Sequence, residues 1–78
     1  MKIYSIENCP YCDRARSLLK NEGIAFEEVK ADSLSGDELK ELLRRSGMRT
    51  FPQIFNGEGV IGGYTELRAA YERGELKA

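Results

Sequence analysis

Hydrophobic residues along the chain follow strand-like spacing in some segments and helix-like spacing in others. Residues 2–6 are a short run of strand formers. Four apolar residues then recur at helical spacing: Cys12, Ala15, Leu18 and Leu19. Gly23 follows them, and glycine is the residue that most often ends a helix. The pattern therefore predicts a β-strand followed by an α-helix.

The middle of the chain predicts a second strand and a second helix. Residues 25–29 carry Phe26 and Val29 with imperfect alternation, and we assign them to a strand. Ser35 is followed three residues later by Glu38, the signature of a capping box. An apolar face follows, formed by Leu39, Leu42 and Leu43. This helix is predicted to end near Gly47.

The last third predicts a hairpin and a third helix. Two short strands, residues 53–55 and 60–61, flank a glycine-rich loop at residues 56–59. Thr65 is predicted to cap a helix that ends near Gly74. Its inner face is expected to carry Leu67, Ala70 and Tyr71. The element order is βαβαββα, an α/β arrangement in which a parallel βαβ unit and a hairpin form one mixed sheet.

Length and charge limit the number of domains and the kinds of partner that the chain is expected to have. The 78 residues leave room for a single domain, residues 1–78. Twelve basic and thirteen acidic residues are interspersed, with a net charge of −1, so neither nucleic acid nor an anionic membrane is an expected partner. We find no signal peptide and no apolar run of membrane-spanning length, and we expect a cytoplasmic protein.

Core packing is the expected role of four aromatic residues: Tyr4, Phe26, Phe55 and Tyr71.

The chain has two cysteines and no histidine. These counts exclude a four-ligand Cys/His zinc site on one chain, and they exclude nucleophiles activated by histidine. Cys9 and Cys12 lie where the first strand is predicted to meet the first helix. Pro10 suits the first helical position because it has no N–H to leave unpaired, which makes Cys9 the predicted N-cap.

This placement gives the two thiols different predicted roles. Unpaired N–H groups and the positive end of the helix dipole favour the thiolate of Cys9, the candidate nucleophile. Cys12 lies nearly one turn later on the same side, and is the candidate resolving thiol. The competing interpretation is a structural disulfide, but a four-residue loop contributes only about 1.9 kcal/mol. A metal site would require two chains or external ligands.

Four segments together resemble the dithiol glutaredoxins along nearly the whole chain. They are Ile3-Tyr4-Ser5, Cys9-Pro10-Tyr11-Cys12, Arg49-Thr50-Phe51-Pro52-Gln53-Ile54-Phe55 and Ile61-Gly62-Gly63-Tyr64-Thr65-Glu66-Leu67. Thioredoxins proper match less well, since their motif carries a tryptophan and this chain has none. The resemblance implies a thioredoxin fold, with a four-stranded mixed sheet flanked by three helices.

The resemblance also implies a glutathione groove beside the cysteines, with a cis peptide bond between Phe51 and Pro52. Arg49 is expected to meet the glycine carboxylate of glutathione. The N–H groups of Thr65 and Glu66 are expected to hold the γ-glutamyl carboxylate, with the Glu66 side chain on the ammonium group. Four further residues are assigned to this groove: Tyr11, Thr50, Gly63 and Tyr64.

Three residues depart from the family pattern. Ile6 stands where many glutaredoxins have a lysine, so activation of Cys9 rests more on the helix terminus, with Arg14, Arg16 or Arg49 as candidate helpers. Phe51 replaces a common valine. Thr65 replaces a frequent aspartate.

The expected function is glutathione-dependent thiol–disulfide oxidoreduction of protein disulfides or glutathionylated proteins, by a monomer without a metal or tightly bound organic cofactor. Glutathione is the expected co-substrate. Two alternatives stay open. One is a glutaredoxin-like hydrogen donor for ribonucleotide reductase, recharged by thioredoxin reductase. The other is a dimer that binds an iron–sulfur cluster through Cys9 and glutathione.

Overall fold

The computed structural model describes residues 1–76 and combines four β-strands with three α-helices. The strands are β1 (Lys2–Ser5), β2 (Glu27–Lys30), β3 (Gln53–Asn56) and β4 (Gly59–Gly62). The α-helices are α1 (Pro10–Asn21), α2 (Gly36–Ser46) and α3 (Tyr64–Glu72). A short 3₁₀ helix, Ala31–Ser33, follows β2. The α and β elements occur in the predicted order βαβαββα.

The strands form one mixed sheet in the order β2-β1-β3-β4. β1 runs parallel to β2, with Ile3 opposite Glu28, and antiparallel to β3, with Ile3 opposite Ile54. β3 and β4 form the predicted antiparallel hairpin, in which Asn56 pairs with Gly59. The predicted sheet is confirmed. Because β1 lies inside the sheet, the loop that follows it brings Cys9 to the end of a central strand.

The ends of α1 are those that the sequence predicts. Cys9 is the N-cap, with extended backbone, and Pro10 occupies the first turn. Glu22 is the C-cap, and Gly23 adopts a left-handed backbone with φ of 69°. Glycine adopts this conformation without the steric cost that a Cβ brings. The helix therefore starts at the first cysteine and stops at the predicted glycine.

The capping box of α2 is confirmed. The Ser35 hydroxyl accepts a hydrogen bond from the Glu38 N–H at 3.1 Å, and the Glu38 carboxylate accepts one from the Ser35 N–H at 2.8 Å. Both bonds satisfy N–H groups that the first helical turn leaves unpaired. The backbone of Gly47 is left-handed at the C-cap, with φ of 69°, and ends the helix as predicted.

Several predicted boundaries differ from the structure. β1 ends at Ser5 rather than at residue 6, and Asn56 and Gly59, predicted in the loop, are the paired ends of β3 and β4. The second strand is Glu27–Lys30, not residues 25–29, because its backbone pairs with β1 from Glu27 opposite Lys2 to Lys30 opposite Ser5. The N-cap of α3 is Gly63, and Thr65 lies inside the helix. The helix starts earlier because the Glu66 carboxylate reaches back and accepts the Gly63 N–H at 2.7 Å.

The core lies between the sheet and helices α1 and α3. Its largest fully buried apolar side chains come from β1, β3 and both helices: Ile3, Leu19, Ile54 and Leu67. Phe55 is buried as predicted and packs edge-on against the half-buried Tyr4 ring, with centroids 5.6 Å apart. Phe26 and Tyr71 pack on the margin of the core rather than inside it. No helix within residues 1–76 has the length and apolar character needed to cross a bilayer.

Candidate active site

Cys9 and Cys12 form a disulfide at the start of α1, with Cα atoms 5.2 Å apart. The Cys12 side chain is only 1% exposed, whereas Cys9 is half-buried and reaches the surface. The Cys12 backbone N–H donates to the Cys9 sulfur at 3.1 Å. The Cys9 sulfur thus takes the position that a capping oxygen occupies in other helices, where hydrogen-bond donors and the helix dipole favour negative charge.

The segment before β3 lies against this sulfur. The Cys9 Sγ is 3.8 Å from the Phe51 carbonyl oxygen. The Phe51–Pro52 peptide bond is cis, in agreement with the prediction. Residues that are 42 positions apart in sequence therefore meet at the cysteine pair.

A shallow groove of about 250 Å³ opens beside Phe51 and Pro52. It is lined by Tyr11, Met48, Thr50, Phe51, Pro52, Gly63, Tyr64, Thr65 and Glu66. Eight of these nine residues are in the predicted set. Met48 was missed, because an uncharged thioether carries no chemical signal in a sequence. Arg49, which was predicted for this groove, lines a neighbouring cleft instead.

Aromatic rings build one wall of the groove. The rings of Tyr11 and Tyr64 lie 6.0 Å apart at an angle of 35°. The Arg14 guanidinium carbon lies 5.0 Å from the centre of the Tyr11 ring, in a cation–π arrangement. Tyr11 is nevertheless 54% exposed, which is unusual for a large aromatic side chain. This ring is therefore available to a ligand at the groove edge.

The start of α3 forms another part of the lining, where two glycines allow close packing. Gly62 has φ of 128°, and a Cβ there would lie 2.8 Å from the Glu66 Cγ. A Cβ on Gly63 would lie 3.3 Å from Glu66 Oε1 and 3.5 Å from the Pro52 carbonyl oxygen. The predicted partner of the Glu66 carboxylate was a ligand ammonium group. In the structure this carboxylate binds the Gly63 N–H and fixes the first turn of α3.

Arg16 is engaged by two carboxylates and is not free to assist Cys9. It donates two hydrogen bonds to Glu28, at 3.1 Å and 2.6 Å, and one to Asp13 at 2.8 Å. The Ser5 hydroxyl, on a fully buried residue, donates to Glu28 at 2.7 Å. Hydrogen bonds from Arg16 and then Ser5 lower the pKa of Glu28 to about 2. The same carboxylates raise the pKa of Arg16, which stays charged.

Gln53 is a buried polar residue behind the groove that the sequence did not assign to the site. It is fully buried, and its amide nitrogen donates to the carbonyl oxygens of Met48 and Thr50 at 3.2 Å and 3.1 Å. Its Oε1 has no hydrogen-bond partner among the described residues. A glutamine directly before the apolar pair Ile54 and Phe55 is the signal that could have marked it. Across residues 1–76, no three Cys, Asp or Glu side chains are grouped closely enough to hold a metal ion.

This chain is similar to known proteins, both in its family profile and in its sequence identity to individual relatives. The glutaredoxin family profile matches residues 1–61. The chain is 42% identical over 76 residues to glutaredoxin 3 of Escherichia coli strain K12, covering 97% of this chain and 90% of that protein. It is 43% identical over 77 residues to a glutaredoxin of Pseudomonas aeruginosa, covering 97% and 89% of the two chains.

Solved structures agree with the sequence comparison. The crystal structure of a buckwheat glutaredoxin–glutathione complex superimposes with a TM-score of 0.84 and 31% identity, over 96% of this chain and 70% of that one. The three helices and the four-stranded mixed sheet are those of the thioredoxin fold. The cysteine pair at disulfide distance fits a redox-active disulfide, and the relatives support thiol–disulfide oxidoreductase activity. This chain therefore belongs to the glutaredoxin family.

Proposed function

We propose that this protein is a dithiol glutaredoxin that uses glutathione as its co-substrate. The observation that carries the proposal is the position of the Cys9 sulfur. It accepts a backbone N–H at the start of α1 and lies 3.8 Å from the Phe51 carbonyl at the groove. Cys9 is the proposed nucleophile because it reaches the surface, whereas the buried Cys12 is the proposed resolving thiol.

The reaction begins with glutathionylated protein. The Cys9 thiolate attacks the glutathione sulfur of the mixed disulfide, a Cys9–glutathione disulfide forms, and the protein leaves as a thiolate. A second glutathione thiolate then attacks the glutathione sulfur bound to Cys9. This step releases glutathione disulfide and restores the Cys9 thiolate, so that one glutathione thiol is oxidised for each protein thiol recovered.

Protein disulfides require both cysteines. The Cys9 thiolate attacks one sulfur of the substrate disulfide, and the other substrate sulfur leaves as a thiolate. Cys12, deprotonated, then attacks the Cys9 sulfur, forms the Cys9–Cys12 disulfide and releases the second substrate thiolate. Two molecules of glutathione reduce the Cys9–Cys12 disulfide and become glutathione disulfide. We place this cycle in the cytoplasm, where the glutathione pool keeps thiols reduced.

The groove is the proposed glutathione site. Its lining offers the exposed Tyr11 ring and the N–H groups of Thr65 and Glu66 in the first turn of α3. These N–H groups lack intrahelical partners and suit the γ-glutamyl carboxylate. Phe51, Pro52 and Thr50 supply the wall beside the cysteines. We retain Arg49, which lines the adjacent cleft, as the proposed partner of the glycine carboxylate.

Single-cysteine variants test the proposal. Cys9→Ser is expected to abolish glutathione-driven reduction of both a glutathionylated peptide and a protein disulfide. Cys12→Ser is expected to retain turnover of the glutathionylated peptide and to lose reduction of the protein disulfide. Equal activity of wild type and Cys9→Ser on the glutathionylated peptide would show that the nucleophile is assigned wrongly.

A comparison of reductants tests glutathione dependence. The oxidised protein is mixed either with glutathione and glutathione reductase or with thioredoxin reductase, each with NADPH. Rapid reduction by glutathione is expected. Reduction by thioredoxin reductase alone would instead support the hydrogen-donor alternative.

A further inference from the structure

A second depression, larger than the groove, lies beside it on the C-terminal half of α2. It encloses about 650 Å³. Its lining is formed by Lys40, Leu43, Arg44, Gly47, Met48 and Arg49. We call these six residues the α2 basic cleft. Met48 lines both depressions, so the α2 basic cleft adjoins the groove.

The charge of the α2 basic cleft differs from that of the whole chain. Three of its six residues are exposed cations, whereas the chain has a net charge of −1. Within the described part of the chain, the lining contains no carboxylate. Arg44 is paired with Glu41, outside the lining, through a hydrogen bond of 2.9 Å. Lys40 and Arg49 have no ion-pair partner within 4.0 Å among residues 1–76.

Helix stability does not account for these cations. Arg44 lies in the last turn of α2, where a positive charge complements the helix dipole, but Lys40 lies mid-helix and Arg49 lies beyond the helix end. Lys40 and Arg44 are also four residues apart on one helix, and like charges at this spacing cost about 0.2–0.5 kcal/mol. The cluster therefore has a small cost for the fold, and the charges of Lys40 and Arg49 are not neutralised by an ion pair within residues 1–76.

The floor of the α2 basic cleft suits a polypeptide. Leu43 and Met48 are half-buried apolar side chains between the cations. Apolar contact flanked by cations fits a chain that carries Asp or Glu residues. Because Met48 lines both depressions, a protein that reacts at the cysteine pair lies beside this cleft.

We propose that the α2 basic cleft docks an acidic segment of the glutathionylated or disulfide-bearing protein substrate. The inference rests on the proposed function, since it needs a protein chain joined to the sulfur that Cys9 attacks. Docking selects among substrates and leaves the exchange steps unchanged. Lys40 contributes through charge, and it does not line the groove.

Two glutathionylated peptides of equal length test this inference, one with three Asp residues beside its cysteine and one with Ser at the same positions. Turnover with glutathione gives kcat/KM for each, at low and high salt. Wild type is expected to favour the acidic peptide severalfold at low salt, and to lose this preference as salt screens the charges. Lys40→Glu is expected to lower kcat/KM for the acidic peptide by about threefold to tenfold. The Ser peptide should be unaffected.

Two controls separate docking from other effects. Lys20→Glu reverses an exposed cation in the last turn of α1 and should leave both peptides unchanged. Lys40→Glu gains an attraction to Arg44, four residues later, and a repulsion from Asp37, three residues earlier, so its melting temperature should stay close to that of wild type.

The outcomes are distinct. Equal loss for both peptides with Lys40→Glu, or no preference for the acidic peptide in wild type, would overturn the docking proposal while turnover continues. Failure of wild type to turn over either peptide would overturn the glutathione-dependent function itself, and the docking proposal with it.

Discussion

The guanidinium group of Arg16 on α1 forms a two-pronged contact with the carboxylate of Glu28 on β2. Its Nε–H donates to one oxygen at 3.1 Å, and a terminal N–H donates to the other at 2.6 Å. The two side chains are 23% and 24% exposed, so water screens this pair less than it screens a surface pair. The contact connects the helix that begins at Cys9 to the edge strand of the sheet.

Arg16→Lys is expected to lower the free energy of unfolding by about 1–3 kcal/mol, because an ammonium group cannot reproduce the planar two-bond contact. Urea denaturation of the oxidised protein measures the change. Arg68→Lys is the matched control, since Arg68 and Glu72 form a pair in which both side chains are 61% exposed. Its expected change is below about 0.5 kcal/mol, and similar losses in the two variants would contradict the importance of burial.

The Arg16–Glu28 contact also predicts an acid-sensitive contribution to stability. The folded pKa of Glu28, about 2, lies below its ordinary value of 4.5. A lowered folded pKa stabilises the protein above the unfolded pKa, and this stabilisation is lost as pH falls through the folded pKa. The stability difference between wild type and Glu28→Gln should therefore be constant near pH 7 and shrink between about pH 5 and pH 2.

Denaturation curves at several pH values measure this difference. Glu38 is a useful comparison, because its lowered pKa arises from the Ser35 capping contact rather than from an arginine. Glu38→Gln keeps an acceptor for the Ser35 N–H and should change the acid profile less than Glu28→Gln. A Glu28→Gln difference that stays constant down to pH 2 would contradict the assigned role of the carboxylate.

Gly62→Ala is expected to weaken glutathione-dependent turnover by displacing Glu66. The new Cβ would lie 2.8 Å from the Glu66 Cγ, so the carboxylate must move away from the Gly63 N–H. We expect a severalfold rise in KM for a glutathionylated peptide, and an unfolding free energy lower by about 1–3 kcal/mol. The alkylation rate of Cys9 should stay close to that of wild type, since α1 is untouched.

Gly57→Ala separates backbone strain from the contact with Glu66. Gly57 also has a left-handed backbone, with φ of 65°, but no atom lies within 4 Å of a Cβ built there. This variant should lose stability without a rise in KM. Equal changes in KM for the two alanine variants would count against a role for the Glu66 contact.

Ile6→Lys is expected to raise the thiolate fraction of Cys9. Arg16 is engaged by Asp13 and Glu28, so the sulfur relies on the start of α1 for its activation. A cation introduced in the loop before Cys9 should move the midpoint of its alkylation rate about half a pH unit to one unit lower. Iodoacetamide labelling against pH measures this midpoint. Asn21→Lys adds the same charge at the far end of α1 and should leave it unchanged.

The sequence predicted the elements whose ends depend on local chemistry. Cys9 and Pro10 defined the start of α1, and Gly23 its end, because capping and left-handed backbone depend on residues close in sequence. The Ser35–Glu38 capping box was predictable for the same reason. The groove residues came from the family resemblance, and eight of nine lie together.

The errors concern features that depend on tertiary contacts. The bounds of β2 differ from the prediction because they depend on backbone pairing with β1, which hydrophobic spacing does not reveal. Thr65 is a suitable cap by residue type, but the Glu66 carboxylate accepts the Gly63 N–H, and the helix starts there. Met48 carries no charge or reactive group, and only the folded chain shows that it lines both depressions.

The buried amide of Gln53 has a consequence for the entropy of ligand capture. By binding the carbonyl oxygens of Met48 and Thr50, it holds the loop before the groove to the central sheet. Ordering a free loop around a ligand costs roughly 1–2 kcal/mol per residue, and here that cost is already met when the protein folds. A tripeptide entering the groove therefore encounters a preorganised wall, and more of its contact energy remains as affinity.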